Sequence, residues 1–227
     1  MTEAGYGSGL TRLQRATWIF GRTLVAVVAK IWFRAEVHGR ENLPTTGAFI
    51  LSPVHRSNLD TPLLPIIRRA PIRFMGKDSL WEASRFGAWF LTSLGGFPVD
   101  RDGADRGALR LAESILERGE TLVMFPEGTR RSGPVILEEN MFDGASFLAG
   151  RLQIPIVPVG IGGSERAMPI GKKVVYPRKI VFIIGEPIGP PERNANGRVS
   201  RRSVREHTDL LRQRLQVLFD DAMEMIS

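Results

Sequence analysis

Gly47-Ala48-Phe49-Ile50-Leu51-Ser52, running into Pro53-Val54-His55-Arg56-Ser57-Asn58-Leu59-Asp60, is the stretch on which the fold turns. Its first half is a short apolar run bounded by turn-forming residues, the mark of a buried strand. Its second half reads as a turn into a helix that follows Ser57-Asn58, with Asn58 as the cap and Pro62 tolerated in the first turn. A buried strand that delivers a polar turn and then a helix is the unit of α/β proteins, which place their ligands at strand ends.

The same alternation continues on both sides. Trp18 to Phe33 is an apolar helical run, and Val37-His38-Gly39 with Glu41-Asn42-Leu43-Pro44 reads as a strand end and turn. Downstream, Ile72 to Met75 is a strand, and Leu80 to Leu94 is a helix ending at Gly95-Gly96. Phe97 to Asp100 is extended. Gly107 to Arg118 is a helix, with Leu109, Leu111, Ile115 and Leu116 as its apolar positions and Gly119 as its stop. Thr121 to Phe125 is a buried strand closed by Pro126, and Gly144 to Arg151 a helix. Ile154 to Ile161 is an apolar strand whose two prolines predict an end near a sheet edge or a site. Lys179 to Ile184 is a strand, Pro190 to Arg202 a basic loop, and Ser203 to Ile226 an amphipathic helix. The expected fold is α/β: a mixed, largely parallel sheet flanked by helices over residues 36–227, preceded by an N-terminal helical segment, residues 1–35.

Composition narrows the chemistry. The 227 residues suffice for one well-packed domain. Cysteine is absent, which excludes disulfides, thiolate metal sites and a Cys nucleophile. The net charge is +7 and the pI about 10.5, so the surface favours polyanions such as anionic lipid or phosphorylated substrates. The cations are scattered and are not interleaved with aromatics, so no nucleic-acid partner is expected.

From Ala4 to Ala35 there is no acidic residue, while Arg12, Arg15, Arg22, Lys30 and Arg34 are present. A membrane span needs about 20 apolar residues with few charges, and Arg22, Thr23 and Lys30 interrupt this run. A basic helix lying in the headgroup layer fits it, with an ordinary buried helix as the alternative. The expected location is peripheral, on the cytoplasmic face of the cell membrane.

Three histidines carry the candidate acid–base chemistry. His207 lies among Arg205, Glu206 and Asp209 and reads as solvated; His38, beside Gly39, reads as surface. His55 sits at the strand-to-helix turn. Within one helix, residues five apart lie about 140° apart at 3.6 residues per turn and would not meet. With His55 before the helix and Asp60 in its first turn, the carboxylate can reach back to the imidazole, fix its tautomer and leave the other nitrogen as a base. On these two residues alone, a capping Asp beside an unrelated His remains the alternative.

A second constellation follows the strand at Thr121: Phe125-Pro126-Glu127-Gly128-Thr129-Arg130-Arg131-Ser132-Gly133. Arginine forks match phosphate oxygens, although a charged surface loop has the same composition. Gly95-Gly96-Phe97-Pro98-Val99-Asp100-Arg101 offers another arginine past a tight turn.

Taken in order, these blocks resemble the lysophosphatidate (1-acylglycerol-3-phosphate) acyltransferase family of glycerolipid acyltransferases. The resemblance is carried by His55 to Asp60, Gly96 to Arg101, Phe125 to Arg130 and Ile154-Pro155-Ile156-Val157-Pro158-Val159, within residues 47–163. It implies acyl transfer from an acyl thioester, on coenzyme A or acyl carrier protein, to a hydroxyl of lysophosphatidate or glycerol 3-phosphate in phospholipid biosynthesis. His55 would be the general base and Asp60 its orienting partner. Arg101, Gly128, Thr129 and Arg130 would hold the acceptor phosphate, and Glu127 would support the arginines. No metal, cofactor or acyl-enzyme is implied, and there is no Gly-x-Ser-x-Gly elbow. Leu80 to Leu94 and the N-terminal helix are apolar enough to form an acyl groove.

The chain departs from the family where a Phe-Lys-Gly-like run is usual: it has Phe142-Asp143-Gly144, preceded by acidic Glu138 and Glu139. A different polar lipid acceptor is therefore open. The rival in another class is a non-catalytic lipid-binding or membrane-scaffold protein on the same fold, against which an intact His55–Asp60 pair argues.

Overall fold

The computed structural model describes residues 11–82, 84–99, 106–172 and 174–227. Arg101, with Asp100, lies outside them.

The first helix, α1 (Arg12–Trp32), starts on a capping box: Thr11 Oγ1 accepts from Gln14 N–H, and Gln14 Oε1 accepts from Thr11 N–H. One face carries Trp18 and Ala29 into the core. Trp18 Nε1 donates to the Arg69 carbonyl and Arg22 Nε to the Arg68 carbonyl, which ties the helix to the body. The opposite face is apolar and uncovered: Leu13, Phe20, Leu24, Val27 and Ile31 recur at helical spacing, all exposed. No helix among the described residues is long and apolar enough to cross a membrane.

Next come β1 (Glu36–His38), β2 (Ile50–Pro53) and α2 (Asp60–Leu63), the last continued by a 3-10 turn, Leu64–Ile67. Then follow β3 (Ile72–Lys77), α3 (Ser79–Glu82), α4 (Arg85–Ser93), β4 (Gly96–Val99), α5 (Arg106–Glu117) and β5 (Thr121–Val123). The chain closes with α6 (Gly144–Leu152), β6 (Ile156–Gly162), α7 (Ser164–Ala167), β7 (Val181–Ile184) and α8 (Arg201–Glu224). Strand order is β1-β7-β6-β2-β5-β3-β4, and every neighbouring pair is parallel except β6–β7. The mixed, largely parallel sheet flanked by helices is therefore present, with β2 at its centre.

Four local expectations are corrected. Leu80 to Leu94 is not one helix: Ser84 Oγ accepts from Gly87 N–H and starts α4 afresh. Asn58 does not cap α2; Leu59 holds that position without a side-chain bond, and Asn58 is engaged elsewhere. β6 lies inside the sheet, between β2 and β7, so the edge half of that expectation is corrected, while the site half stands: Val54 N–H, just before His55, donates to the Val159 carbonyl. Its Pro158 falls opposite Gly185, just past the end of β7, whose N–H still reaches the Pro158 carbonyl; the missing proline donor therefore costs no bond within β7. His207 is buried, with Nδ1 on Ser146 Oγ at 2.9 Å and Nε2 on the Gly189 carbonyl at 2.8 Å. Its apolar neighbours at helical spacing, Val204 and Leu211, share that buried face, which outweighs the charged residues beside it in sequence. His38, in contrast, is exposed beside Glu36.

α8 lies directly on the backbone of β6. A Cβ on Gly160 would come within 2.2 Å of the Leu218 carbonyl oxygen, and one on Gly162 within 2.5 Å of that of Ala222. Glycine at alternate positions of one strand face lets the helix approach this closely.

Candidate active site

β2 is buried along its length and paired on both sides, so it places the turn after Pro53 rigidly at the carboxyl edge of the sheet. There His55 Nδ1 lies 3.0 Å from Asp60 Oδ2. Asp60 is fully buried in the first turn of α2, and His55 keeps 15% of its side chain exposed. The same carboxylate oxygen accepts the N–H groups of Arg56 and Ser57, each at 2.7 Å. Three donors on one oxygen fix the loop and the imidazole together. With the carboxylate accepting, the ring proton sits on Nδ1. Nε2 has no hydrogen bond among the described residues, and the side chain keeps some exposure. The ring stacks on Phe125, centroids 4.0 Å apart. The meeting of residues 55 and 60 across a helix start is thus as the sequence predicts.

The loop after β5 closes over this turn. Arg131 N–H donates to the His55 carbonyl at 2.9 Å. Glu127 is buried; both its oxygens accept from Arg56 Nη1, at 2.8 and 2.7 Å, and Oε2 also accepts the His55 N–H at 3.2 Å. Its expected support of Arg130 is corrected: its partner is Arg56, whose guanidinium also lies 5.0 Å from the Phe219 ring centroid. Arg130 instead donates to Asn58 Oδ1 at 2.5 Å, and so hangs beside the His55–Asp60 turn. Gly128 takes φ +65°, and a Cβ there would sit 2.8 Å from the Phe142 ring. That backbone leaves Thr129 exposed next to Arg130. Asp143, at the departure from the family pattern, accepts from Thr208 Oγ1.

Two cavities are lined by residues next to the pair in sequence, Thr61 and Pro62 in one and Arg56 in the other. One of about 250 Å³ is lined by α1 (Trp18, Val25), by Thr61 and Pro62 just after Asp60, and by Trp81 and Leu91. The other, of about 500 Å³, is walled partly by Arg56, Arg131 and Glu165. Sequence reading missed Arg56, Asn58 and Glu165. The first two stand within the His55 block and could have been read from it; nothing local marks Glu165.

The chain matches the acyltransferase family model over residues 34–162, which includes β1 to β6 and every described site residue named above except Glu165 and those of α1 and α8. It is 29% identical over 170 residues to the 1-acyl-sn-glycerol-3-phosphate acyltransferase of Bacillus subtilis, covering 74% of this chain and 81% of that one. To the enzyme of the same name from Pseudomonas aeruginosa it is 30% identical over 211 residues, covering 92% and 75%. It spans about half the length of the chloroplast relatives it matches. The crystal structure of the 1-acyl-sn-glycerophosphate acyltransferase PlsC from Thermotoga maritima superposes with a TM-score of 0.72 at 26% identity, over 98% of this chain and 86% of that one. With this fold, these blocks and these relatives, the chain belongs to the 1-acylglycerol-3-phosphate acyltransferase family.

Proposed function

We propose that the protein transfers a fatty acyl group from an acyl thioester, on coenzyme A or acyl carrier protein, to a hydroxyl of lysophosphatidate or glycerol 3-phosphate, with His55 as general base. The observation that carries this is the imidazole held by Asp60 through Nδ1 with Nε2 free. In the proposed step the acceptor hydroxyl loses its proton to Nε2 as its oxygen attacks the thioester carbonyl carbon. The tetrahedral intermediate collapses, the C–S bond breaks, and the leaving thiolate takes the proton back from His55. Asp60 orients the ring and balances its transient charge. The route uses no cofactor and no acyl-enzyme.

Arg130, steadied by Asn58, would grip the acceptor phosphate with Thr129 and the Gly128 backbone, and Arg101 would add a second cation. Glu127 would act indirectly, by holding Arg56 and the His55 amide. The apolar cavity between α1, α2 and α3–α4 is suited to the first part of the acyl chain. The uncovered apolar stripe of α1, with Arg12, Arg15 and Lys30 beside it, supports peripheral attachment to an anionic, cytoplasmic membrane face.

The test is acyl-thioester turnover with lysophosphatidate on anionic vesicles. His55→Ala should lose about 10²–10⁴-fold of kcat, the usual contribution of a general base, and remain folded. Vesicle sedimentation of the same samples should show binding by wild type and loss in a Phe20→Asp/Ile31→Asp double variant. Lipid binding without turnover by the wild type would favour the scaffold reading instead.

A further inference from the structure

We propose that the segment between α7 and β7, residues 168–180, is a second contact with an anionic bilayer, joined to the end of α1 and tied to the His55 turn. It rests on the membrane reading of α1 and widens the contact from one helix to a surface of two segments.

The segment repeats the charge bias of the amino end. From Arg166 to Gly185 there is no acidic residue, while Arg166, Lys172, Lys173, Arg178 and Lys179 are present. Its large apolar side chains stay out of the core: Ile170, Val174, Val175 and Tyr176 are all exposed, Val174 most of all at 57%. Apolar side chains clustered in the open and rimmed by charge mark an interaction surface. The sign of the charge names the partner. An anionic headgroup layer takes in apolar side chains and draws lysine and arginine to its phosphates. A second copy of this chain fits poorly, because its net charge is also positive, at +7.

The two acid-free segments meet in space. Arg34, just past α1, donates from Nη2 to the Pro177 carbonyl at 3.4 Å, and Ile180 N–H donates to the Phe33 carbonyl at 3.2 Å. The acid at this joint, Glu36, is paired with Lys179 at 2.9 Å. At the adjoining end of α1, Val27, Val28, Ile31 and Trp32 are exposed as well. The apolar and cationic surface of the helix therefore continues into the segment.

Strand register places this joint on the edge of the sheet that carries the candidate site. β2 and β6 run together toward that edge, with Pro53 opposite Val159. β7 starts back from it, Val181 opposite Gly162, and β1 starts beside β7, Glu36 opposite Val181. Ser57 Oγ, within the His55 turn, donates to the Met168 carbonyl at 2.8 Å, so the segment begins on that turn. Tyr176 N–H donates to the Ala167 carbonyl at 2.8 Å and folds the rest back beside it. A bilayer seated on α1 and this segment lies along the edge from which a lipid acceptor would enter.

The experiment uses the full chain, which has no cysteine, so that one introduced thiol is unique. Val174→Cys, Ile31→Cys and Val217→Cys are each labelled with an environment-sensitive fluorophore and mixed with phosphatidylglycerol–phosphatidylcholine vesicles. Ile31 reports on α1, and Val217, exposed on α8, is the control. The Val174 label should shift to the blue and brighten on these vesicles, and much less on phosphatidylcholine alone; the Val217 label should do neither. Lys172→Glu/Arg178→Glu should weaken sedimentation with the anionic vesicles about tenfold or more, because each reversal repels the surface that the native side chain attracts. Its melting temperature should match wild type. A Val174 label that stays water-like while the Ile31 label responds would overturn the proposal and leave α1 as the whole contact. Water-like labels at both positions would overturn the α1 reading with it. A response at Val174 alone would uphold the segment and strike the α1 reading. A Val174 response that follows protein concentration without vesicles would assign the surface to a second copy and overturn the proposal.

Discussion

The turn after β2 and the seam between α6 and α8 each hold a histidine against a polar partner, yet they spend it differently. At the seam both ring nitrogens of His207 are occupied, by Ser146 and Gly189, in a buried setting that lowers its pKa, chiefly through desolvation. At the turn Asp60 takes one nitrogen of His55, and the other has no partner among the described residues. A histidine with both nitrogens committed is a joint. A histidine with one nitrogen anchored and one idle can move a proton. Placement decides between them: the turn stands at the carboxyl end of the central strand, where parallel sheets open their crevice, whereas the seam lies under a helix.

The largest effect that could break this contrast is on catalysis. Asp60→Asn must keep its amide oxygen on the Arg56 and Ser57 N–H groups, so it holds the turn and the ring proton in place but removes the charge that balances the imidazolium, and kcat should fall about 10²–10⁴-fold. KM and melting temperature should change little. Steady-state kinetics beside a melting curve check this, and a variant within threefold of wild type would make Asp60 a cap and no more.

The seam should answer in the opposite currency, stability. His207→Ala strips a donor or acceptor from both Ser146 and Gly189 and should cost about 1–3 kcal/mol. Urea unfolding measures it; kinetic constants at a temperature where the variant is folded should match wild type. A catalytic defect without destabilisation would dissolve the distinction.

The smallest effect sharpens it by pH. His207 has a folded pKa below its unfolded value of about 6.5. The unfolded chain therefore binds the proton first, and the stability that neutral His207 contributes is present above about pH 6.5. It is lost as pH falls toward the folded pKa, at no more than about 1.4 kcal/mol per pH unit. Glu165, raised by burial, works the other way: its contribution is present at low pH and lost as pH rises through its folded pKa. The difference in urea midpoint between wild type and His207→Gln, taken at pH 7.5 and 5.5, isolates the histidine. It should shrink at the lower pH.

The same two regions mark how much could be read without coordinates. Phe49 to Ser52 announces a central strand because every residue of it is apolar or small, and parallel strands are buried on both faces. His55 and Asp60 were legible because both stand in one short block, where local geometry alone brings them together. His207 was misjudged because its charged neighbours in sequence face solvent while its own side points inward. A helix with charges on one face and Val204, His207 and Leu211 on the other is read by spacing, which outweighs the polarity of neighbours in sequence. The partnership of Arg56 with Glu127 joins residues 71 apart, and no local pattern carries it. Pro158 misled for a related reason: a proline is tolerated inside a sheet where the neighbouring strand has ended, and sequence does not say where a neighbour ends.

The glycine-paved face of β6 has a consequence for synthesis. Gly160 and Gly162 lie against Leu218 and Ala222, which are synthesised after them. Chains emerge from the amino end and fold as their segments become available. The interior strand beside the catalytic turn therefore stays uncovered until the final helix is free, while α1, with its own apolar stripe, has long been in the open. On the proposed membrane reading, α1 can meet a bilayer before α8 has covered β6, so the order of synthesis would favour completing the fold at the lipid surface.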